Sequence, residues 1–258
     1  MTGSFAQKGW AIFPPEAATL AWAKAAFAET QRYLDADTAQ DWRCGDTWLV
    51  GLDALPNRQD GSVAGTPLAG AAVQAAQYIH PVTNWHRAQL SVVRPGYPRK
   101  TASESDAAFG FRLRRDAAHV DGLLAEGADK RRHIREPHAF VLGIALTSAG
   151  RGASPLVAWE GSHHLMRAAF QMAVKGADPA TFPEVDVTEA YQKARKTVFD
   201  QCPRQVLHLP FGAAILLHRH LLHGVSPWDD HADAPAEGRV IAYFRPEFAD
   251  VADWIAAP

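Results

Sequence analysis

Apolar and polar positions divide the chain into two textures. Trp10-Ala-Ile-Phe13 is a short apolar run that Pro14-Pro15 must end, and it predicts a strand. Pro15 suits the opening turn of a helix, and Leu20, Phe27 and Leu34, spaced by seven, put one apolar stripe along it. Trp42 to Pro56 is aromatic and without a period, and Asn57 to Gly65 is a polar loop. Thr66-Pro67 then predicts the start of a second helix with Leu68, Ala72, Ala75 and Ile79 on its apolar face. From about Trp85 the pattern changes to strands parted by turn residues. These are Ala88–Arg94, Phe109–Arg115, Ala139–Leu146, Pro155–Trp159, Gln205–Leu209, Ala213–His218 and Arg239–Phe244. Met166–Lys175 and Val187–Phe199 read as an inserted helical stretch, about residues 165–200. Strands without a regular βαβ alternation predict a mainly β, α+β fold: an antiparallel sandwich or barrel with flanking helices. No repeat or linker breaks the chain. A single domain over residues 1–258 is expected, with an N-terminal helical layer (1–86) on a β core (87–246).

Composition narrows the class. The chain has 258 residues, 47% of them hydrophobic, enough for a large core. A formal charge of −2 with no long single-sign run gives no reason to expect nucleic acid or an anionic membrane as a partner. Two cysteines, Cys44 and Cys202, fit neither a disulfide framework nor a thiolate metal site. Met1 to Lys8 lacks a signal-type apolar core, and Phe140–Leu146 is too short to cross a bilayer. A cytoplasmic protein is the expectation.

The candidate chemistry lies at His119-Val-Asp121. On an extended segment, residues two apart project from one face, so this imidazole and carboxylate can grip one ion together. A further histidine from a distant strand would make a two-histidine, one-carboxylate set. That set leaves one face of an octahedral metal open and suits non-haem Fe(II). Continuing the alternation of the predicted strand Phe109–Arg115 puts Phe111, Leu113, Arg115, Ala117 and His119 on one face. The second imidazole has three candidates, His218, His220 and His223. His223 is favoured because Gly224 permits a close backbone approach and Pro227 ends the segment. Arg239 opens the last strand and shares a face with Ile241, Tyr243 and Arg245; its guanidinium fork suits a carboxylate. Arg245 is read instead as a surface ion pair.

These pieces, in this order, resemble the phytanoyl-CoA dioxygenase-like branch of the Fe(II)/2-oxoglutarate oxygenases. Leu90-Ser-Val-Val-Arg-Pro-Gly96 resembles the strand and turn ahead of the family's metal motif, and His119-Val-Asp121 the motif itself. Ser154 to His163 resembles a segment ending in Pro-Gly-Ser-His, with Glu160 in the proline's place. His223-Gly-Val-Ser-Pro227 with Arg239 resembles the distal histidine and the arginine for the far carboxylate of 2-oxoglutarate, here at a longer spacing. The resemblance implies a double-stranded β-helix (a cupin-like jelly roll of two four-stranded sheets) with the metal at one open end. It implies Fe(II) on His119, Asp121 and His223 as the catalytic centre, and O2 and 2-oxoglutarate as co-substrates. Co-substrate contacts fall on Arg239 and, as the nearest match to the family's polar position on an early strand, on Gln89. The implied product is a hydroxylated small molecule, with succinate and CO2.

Basic residues flank the motif. Most read as solvated, but Arg115, on the metal face by strict alternation, would suit an anionic substrate. Lys130 to Arg135 would suit a mobile lid hinged at Gly122–Gly127. His163-His164 reads as structural, and His80, His86, His133, His138, His208 and His231 have no spacing that demands a ligand role. Trp22, Trp48 and Trp85 read as core or interface. Two rival classes share the pattern: a cupin-like hydrolase or isomerase using Zn(II) or Mn(II) to activate water, and a barrel that binds a ligand without turnover.

Overall fold

The computed structural model describes residues 3–36 and 40–257. The N-terminal region comprises α1 (Gly3–Lys8), β1 (Trp10–Phe13), α2 (Ala17–Asp35), β2 (Trp42–Arg43), β3 (Trp48–Gly51) and α3 (Ala71–Ile79). There follow β4 (Gln89–Val93), α4 (Asp106–Arg114), β5 (Leu123–Glu126), β6 (Arg131–Ile134), β7 (Phe140–Ala145) and β8 (Leu156–Trp159). The chain ends with α5 (Ser162–Ala173), α6 (Thr188–Gln201), β9 (Arg204–Leu207), β10 (Ala214–His218), β11 (His223–Val225), β12 (Arg239–Phe244) and α7 (Val251–Ala256). A 3-10 helix, Pro179–Glu184, lies between α5 and α6.

Seven strands form one antiparallel sheet in the order β1-β10-β7-β12-β4-β3-β2. A smaller sheet, β11-β8-β9, is extended beyond β11 by a bridge between His119 and His223. The pleat sorts the side chains of the large sheet. Phe140, Leu142 and Ile144 of β7 point outward with Leu216, Ala242 and Phe244, and pack with Trp22, Ala26, Ala72 and Ala76 of α2 and α3. The alternate positions Val141, Ala145, Ile215, Leu217 and Ile241 meet Leu156, Ala158 and Leu207 of the small sheet. The small sheet's other face, Val157 and Trp159, packs with Phe170, Tyr191, Val198 and Trp254 from α5, α6 and α7. Helices therefore cover both outer faces, and the two sheets share a thin apolar layer whose polar end holds the site.

The expected helical layer, the helical insertion and most strands are present. Several elements differ. Phe109–Arg115 is not a strand: Asp106–Arg114 is α4. Ser105 caps it by accepting from the amide of Ala108, and Asp106 in its first turn favours the same end. The alternation of Phe109, Phe111 and Leu113 imitated a strand because Phe111 reaches out of the helix to Phe199, with ring centroids 6.3 Å apart. The heptad stripe on α2 is also displaced. Its buried face is Thr19, Trp22, Ala23, Ala26 and Thr30, while Leu20 is exposed. The second helix starts at Ala71, past Leu68. Trp42–Pro56 holds two short strands, β2 and β3, that with β1 widen the large sheet to seven in place of the expected four. No helix of the described residues is long and apolar enough to cross a membrane.

Candidate metal centre

The two candidate histidines come from segments more than a hundred residues apart, yet they share one ladder rung. The amide of His119 donates to the carbonyl of His223 at 2.8 Å, and that of His223 donates back at 3.0 Å. A hydrogen-bonded antiparallel pair places both side chains on the same face. The close approach depends on Gly224, where a Cβ would lie 2.1 Å from the carbonyl oxygen of Asp116. Upstream, Asp116 and Ala117 turn the chain through left-handed backbone, φ 52° and 53°. The buried Asp116 carboxylate holds that turn by accepting two hydrogen bonds from Arg204, each 2.7 Å.

Both imidazoles are oriented alike. Nδ1 of His119 lies 3.0 Å from the carbonyl of Ala117, and Nδ1 of His223 lies 3.0 Å from that of Leu221. A carbonyl accepts only from N–H, so each ring carries its proton on Nδ1 and turns the Nε2 lone pair outward. Those lone pairs converge on Asp121. Its Oδ1 is 3.2 Å from Nε2 of His119 and 3.9 Å from Nε2 of His223. All three ligand atoms lie within 4.8 Å of one another, and no other set of three or more such groups among the described residues is placed to hold an ion. Each neutral imidazole offers one nitrogen and the carboxylate one oxygen, a donor set that suits a divalent first-row metal.

The electrostatics match. Burial raises the Asp121 carboxyl, but hydrogen bonding from His119 and the neighbouring positive groups, His119 and Arg245 among them, outweigh it and hold the group well below the ordinary carboxylate range. Burial pushes His223 down to about 4, so its imidazole is neutral at pH 7. Burial also lowers His119, yet the Asp121 hydrogen bond and charge prevail and raise it. Without a metal, Nε2 of His119 lies against the Asp121 carboxylate; a bound dication would take that position between them.

His218 and His220, the other candidates, point elsewhere. They gather with His163 on the far side of β10, where the His218 ring is 4.7 Å from His163 and 5.3 Å from His220. His163 approaches the carbonyl of Ala6 at 2.9 Å through Nε2.

Around the triad a cavity is lined by Trp48, Gln89, Ser91, Val141, Leu156, Val225, Tyr243 and Arg245. Trp48 was read as core or interface; here it borders the cavity and donates to Ser91 Oγ at 3.2 Å. Gln89 faces the metal position on β4, and its Oε1 accepts from Arg245. Arg245 is not a surface ion pair. One nitrogen reaches Gln89 and another lies 3.7 Å from Asp121 Oδ2. Inward alternation along β12 carried this information, and the reading as a solvated charge overrode it.

Arg239 occupies the other end of the same face. It is 6% exposed, and none of its three guanidinium nitrogens has a hydrogen-bond partner in the protein. It borders a narrow space with Thr147, Leu156 and Ile241, and Leu156 also borders the metal cavity, so the two spaces adjoin. The Arg239 charge tempers the Tyr243 phenol, which burial pushes up.

One other expectation is corrected, and a second acquires a structural setting. Arg115 caps α4 with its guanidinium 4.5 Å over the Phe199 ring and lines none of this cavity. The strand reading that aimed it at the metal failed with the strand. Lys130 to Arg135 is largely β6, one arm of a hairpin with β5. Arg131 pairs with Asp186, and Arg135 pairs with Glu126 and Glu184, fastening the hairpin to the helical insertion.

No family model matches the chain, and no curated protein matches it. Solved structures with an overall likeness include the non-heme alpha ketoglutarate dependent carbocyclase SnoK from nogalamycin biosynthesis. It shares 12% identity at a TM-score of 0.45, over 96% of this chain and 86% of that one. AviO1 from Streptomyces viridochromogenes Tue57 shares 17% at 0.48, over 99% and 94%. EctD from S. alaskensis, solved with 2-oxoglutarate and 5-hydroxyectoine, shares 12% at 0.44, over 94% and 73%. Likeness at this level decides nothing about the chemistry, which rests on the side chains described above.

Proposed function

We propose that this chain is an Fe(II)- and 2-oxoglutarate-dependent oxygenase that hydroxylates a small molecule, built as one domain on a double-stranded β-helix. The observation that carries the reading is the convergence of His119, Asp121 and His223 with an uncompensated Arg239 on the same inward face. Two imidazoles and one carboxylate on one side of an ion leave room for a bidentate co-substrate and O2. An unpaired buried guanidinium costs several kcal/mol, about the penalty of stranding any charge away from water. A dicarboxylate bound to the metal at one end would relieve it at the other. Zn(II) hydrolysis would use the same triad but gives Arg239 no partner.

When bound, the iron and its co-substrate supply oxidation of unactivated carbon, with 2-oxoglutarate leaving as succinate and CO2. The chain's share is to position and insulate. His119 and His223 present lone pairs fixed by carbonyl hydrogen bonds, and Asp121 supplies a charge held ionised by its neighbours. Arg239 forms the charge-assisted fork for the distal carboxylate. Gln89, its oxygen engaged by Arg245, has its amide nitrogen left to donate to the same co-substrate. Trp48, Val141, Leu156 and Val225 keep the surroundings apolar.

The test is Fe(II)-dependent succinate formation from 2-oxoglutarate, with His119→Ala and Asp121→Ala as controls. Loss in both variants supports the assignment. Equal turnover in wild type and variants removes it.

A further inference from the structure

A second, larger cleft adjoins the metal cavity, with Arg245 forming part of the wall of both. It opens at the end of the large sheet between Leu52-Asp53, the segment before β4, and the flanks of β7 and β12. Its volume is about 520 Å³, enough for a small organic molecule. The link to the metal is close. The amides of Arg135 and Glu136 both donate to the carbonyl of Gly122, the residue after Asp121, at 2.9 and 3.3 Å.

The charge on this wall has one sign in excess. Asp53, Glu136 and Glu247 line it, and the Lys or Arg among its described lining residues is Arg245, already committed to Gln89 and Asp121. Between two of these carboxylates stands His138, only 5% exposed. Its Nε2 is 3.3 Å from Glu136 and its Nδ1 is 3.7 Å from Glu247. A hydrogen bond from His138 holds Glu136 below the usual carboxylate range. Exposed Leu52 on the rim gives an apolar contact for a carbon skeleton.

We propose that this cleft is the substrate entrance of the oxygenase site and selects a small polar molecule bearing a protonated amine, with Glu136 and Glu247 as its counter-charges. The proposal rests on the oxygenase reading for the word substrate, but its electrostatics do not. It reverses the expectation of an anionic substrate, whose motivating Arg115 lies elsewhere.

Thr83, exposed on the cleft wall, provides a handle. Thr83→Cys is made in a Cys202→Ser background, since Cys44 is buried. The thiol is labelled with a trimethylammonium-ethyl and, separately, a sulfonatoethyl methanethiosulfonate, each rate divided by that of a free small thiol. The cation is expected to react faster by about tenfold or more, as a focused negative potential produces. The preference should fall toward parity in Glu136→Gln with Glu247→Gln, with melting curves confirming that the variant folds. Pre-incubation with 1,6-diaminohexane should slow labelling, and adipate of the same length should not. Equal rates for the two reagents, or protection by adipate alone, would overturn the proposal. The labelling needs neither iron nor 2-oxoglutarate, so its failure is separable from failure of the oxygenase reading, which a charge-transfer titration reports independently.

Discussion

His119 and His223 face each other across a single ladder rung, exchanging both of their backbone hydrogen bonds. Their rings lie 4.6 Å apart, centroid to centroid, on the side where Asp121 waits. The geometry this group would offer a metal is therefore set by main-chain pairing, and on the proposed function the rung's integrity governs metal affinity.

Gly224→Ala tests that dependence without touching a ligand. The new methyl would sit 2.1 Å from the Asp116 carbonyl, so the rung must open. Overpacking of this kind costs about 1–3 kcal/mol. We expect a lowered melting temperature and a large loss of Fe(II) affinity, measured by thermal unfolding with and without metal. Wild-type affinity in a stable Gly224→Ala protein would mean that the rung is dispensable.

Arg239→Gln separates the co-substrate from the metal. It removes a charge-assisted interaction worth about 1.5–3 kcal/mol, roughly ten- to a hundredfold in affinity. The KM for 2-oxoglutarate should rise by that factor while Fe(II) binding is unchanged. A rise in neither constant would take Arg239 out of the co-substrate site.

Arg204→Ala acts at longer range. It strips the two 2.7 Å hydrogen bonds from the buried Asp116 carboxylate at the turn before His119. Loss of one partner from a buried pair leaves a stranded charge. Stability and metal affinity should fall together, and Arg204→Lys should restore only part, since ammonium lacks the fork. Full rescue by lysine would show that charge alone holds the turn.

The apo-protein should lose stability in mild acid. His163 and His223 are pushed by burial to about 4, and burial drives His218 and His220 well below their ordinary value. A base whose folded pKa is depressed opposes folding once the unfolded chain takes up a proton, so stability falls as pH drops from about 6.5 toward 4. His119 works the other way. Its raised pKa contributes stability that is fully present below about 6.5 and is lost as pH rises through the folded value. Four groups outweigh one, so denaturant midpoints should fall between pH 7 and pH 4.5, with net proton uptake on unfolding. Unchanged midpoints would contradict the buried, neutral state of the histidine cluster.

The grouping of the candidate ligands was more legible in the sequence than its setting. His119, Asp121 and His223 were legible because a two-residue spacing, a glycine and an ordered set of motifs all bear on them. Gln89 and Arg239 fell on inward-facing positions because strand alternation holds on β4 and β12. The same rule misled on α4, where Ser105 and Asp106 form a helix start that three spaced apolar residues obscured. It also misled on Arg245, since nothing local separates an inward arginine at a strand end from a solvated one. The cleft at His138 was out of reach. Its wall joins residues from Leu52 to Glu247, and only the sheet order brings them together.

The site is best tested by titrating metal-free protein with Fe(II) and 2-oxoglutarate under anaerobic conditions while following the visible metal-to-ligand charge-transfer band. We expect a band that saturates with both components, disappears in His119→Ala, and requires more 2-oxoglutarate in Arg239→Gln. Bound iron with no band at any 2-oxoglutarate concentration would contradict it.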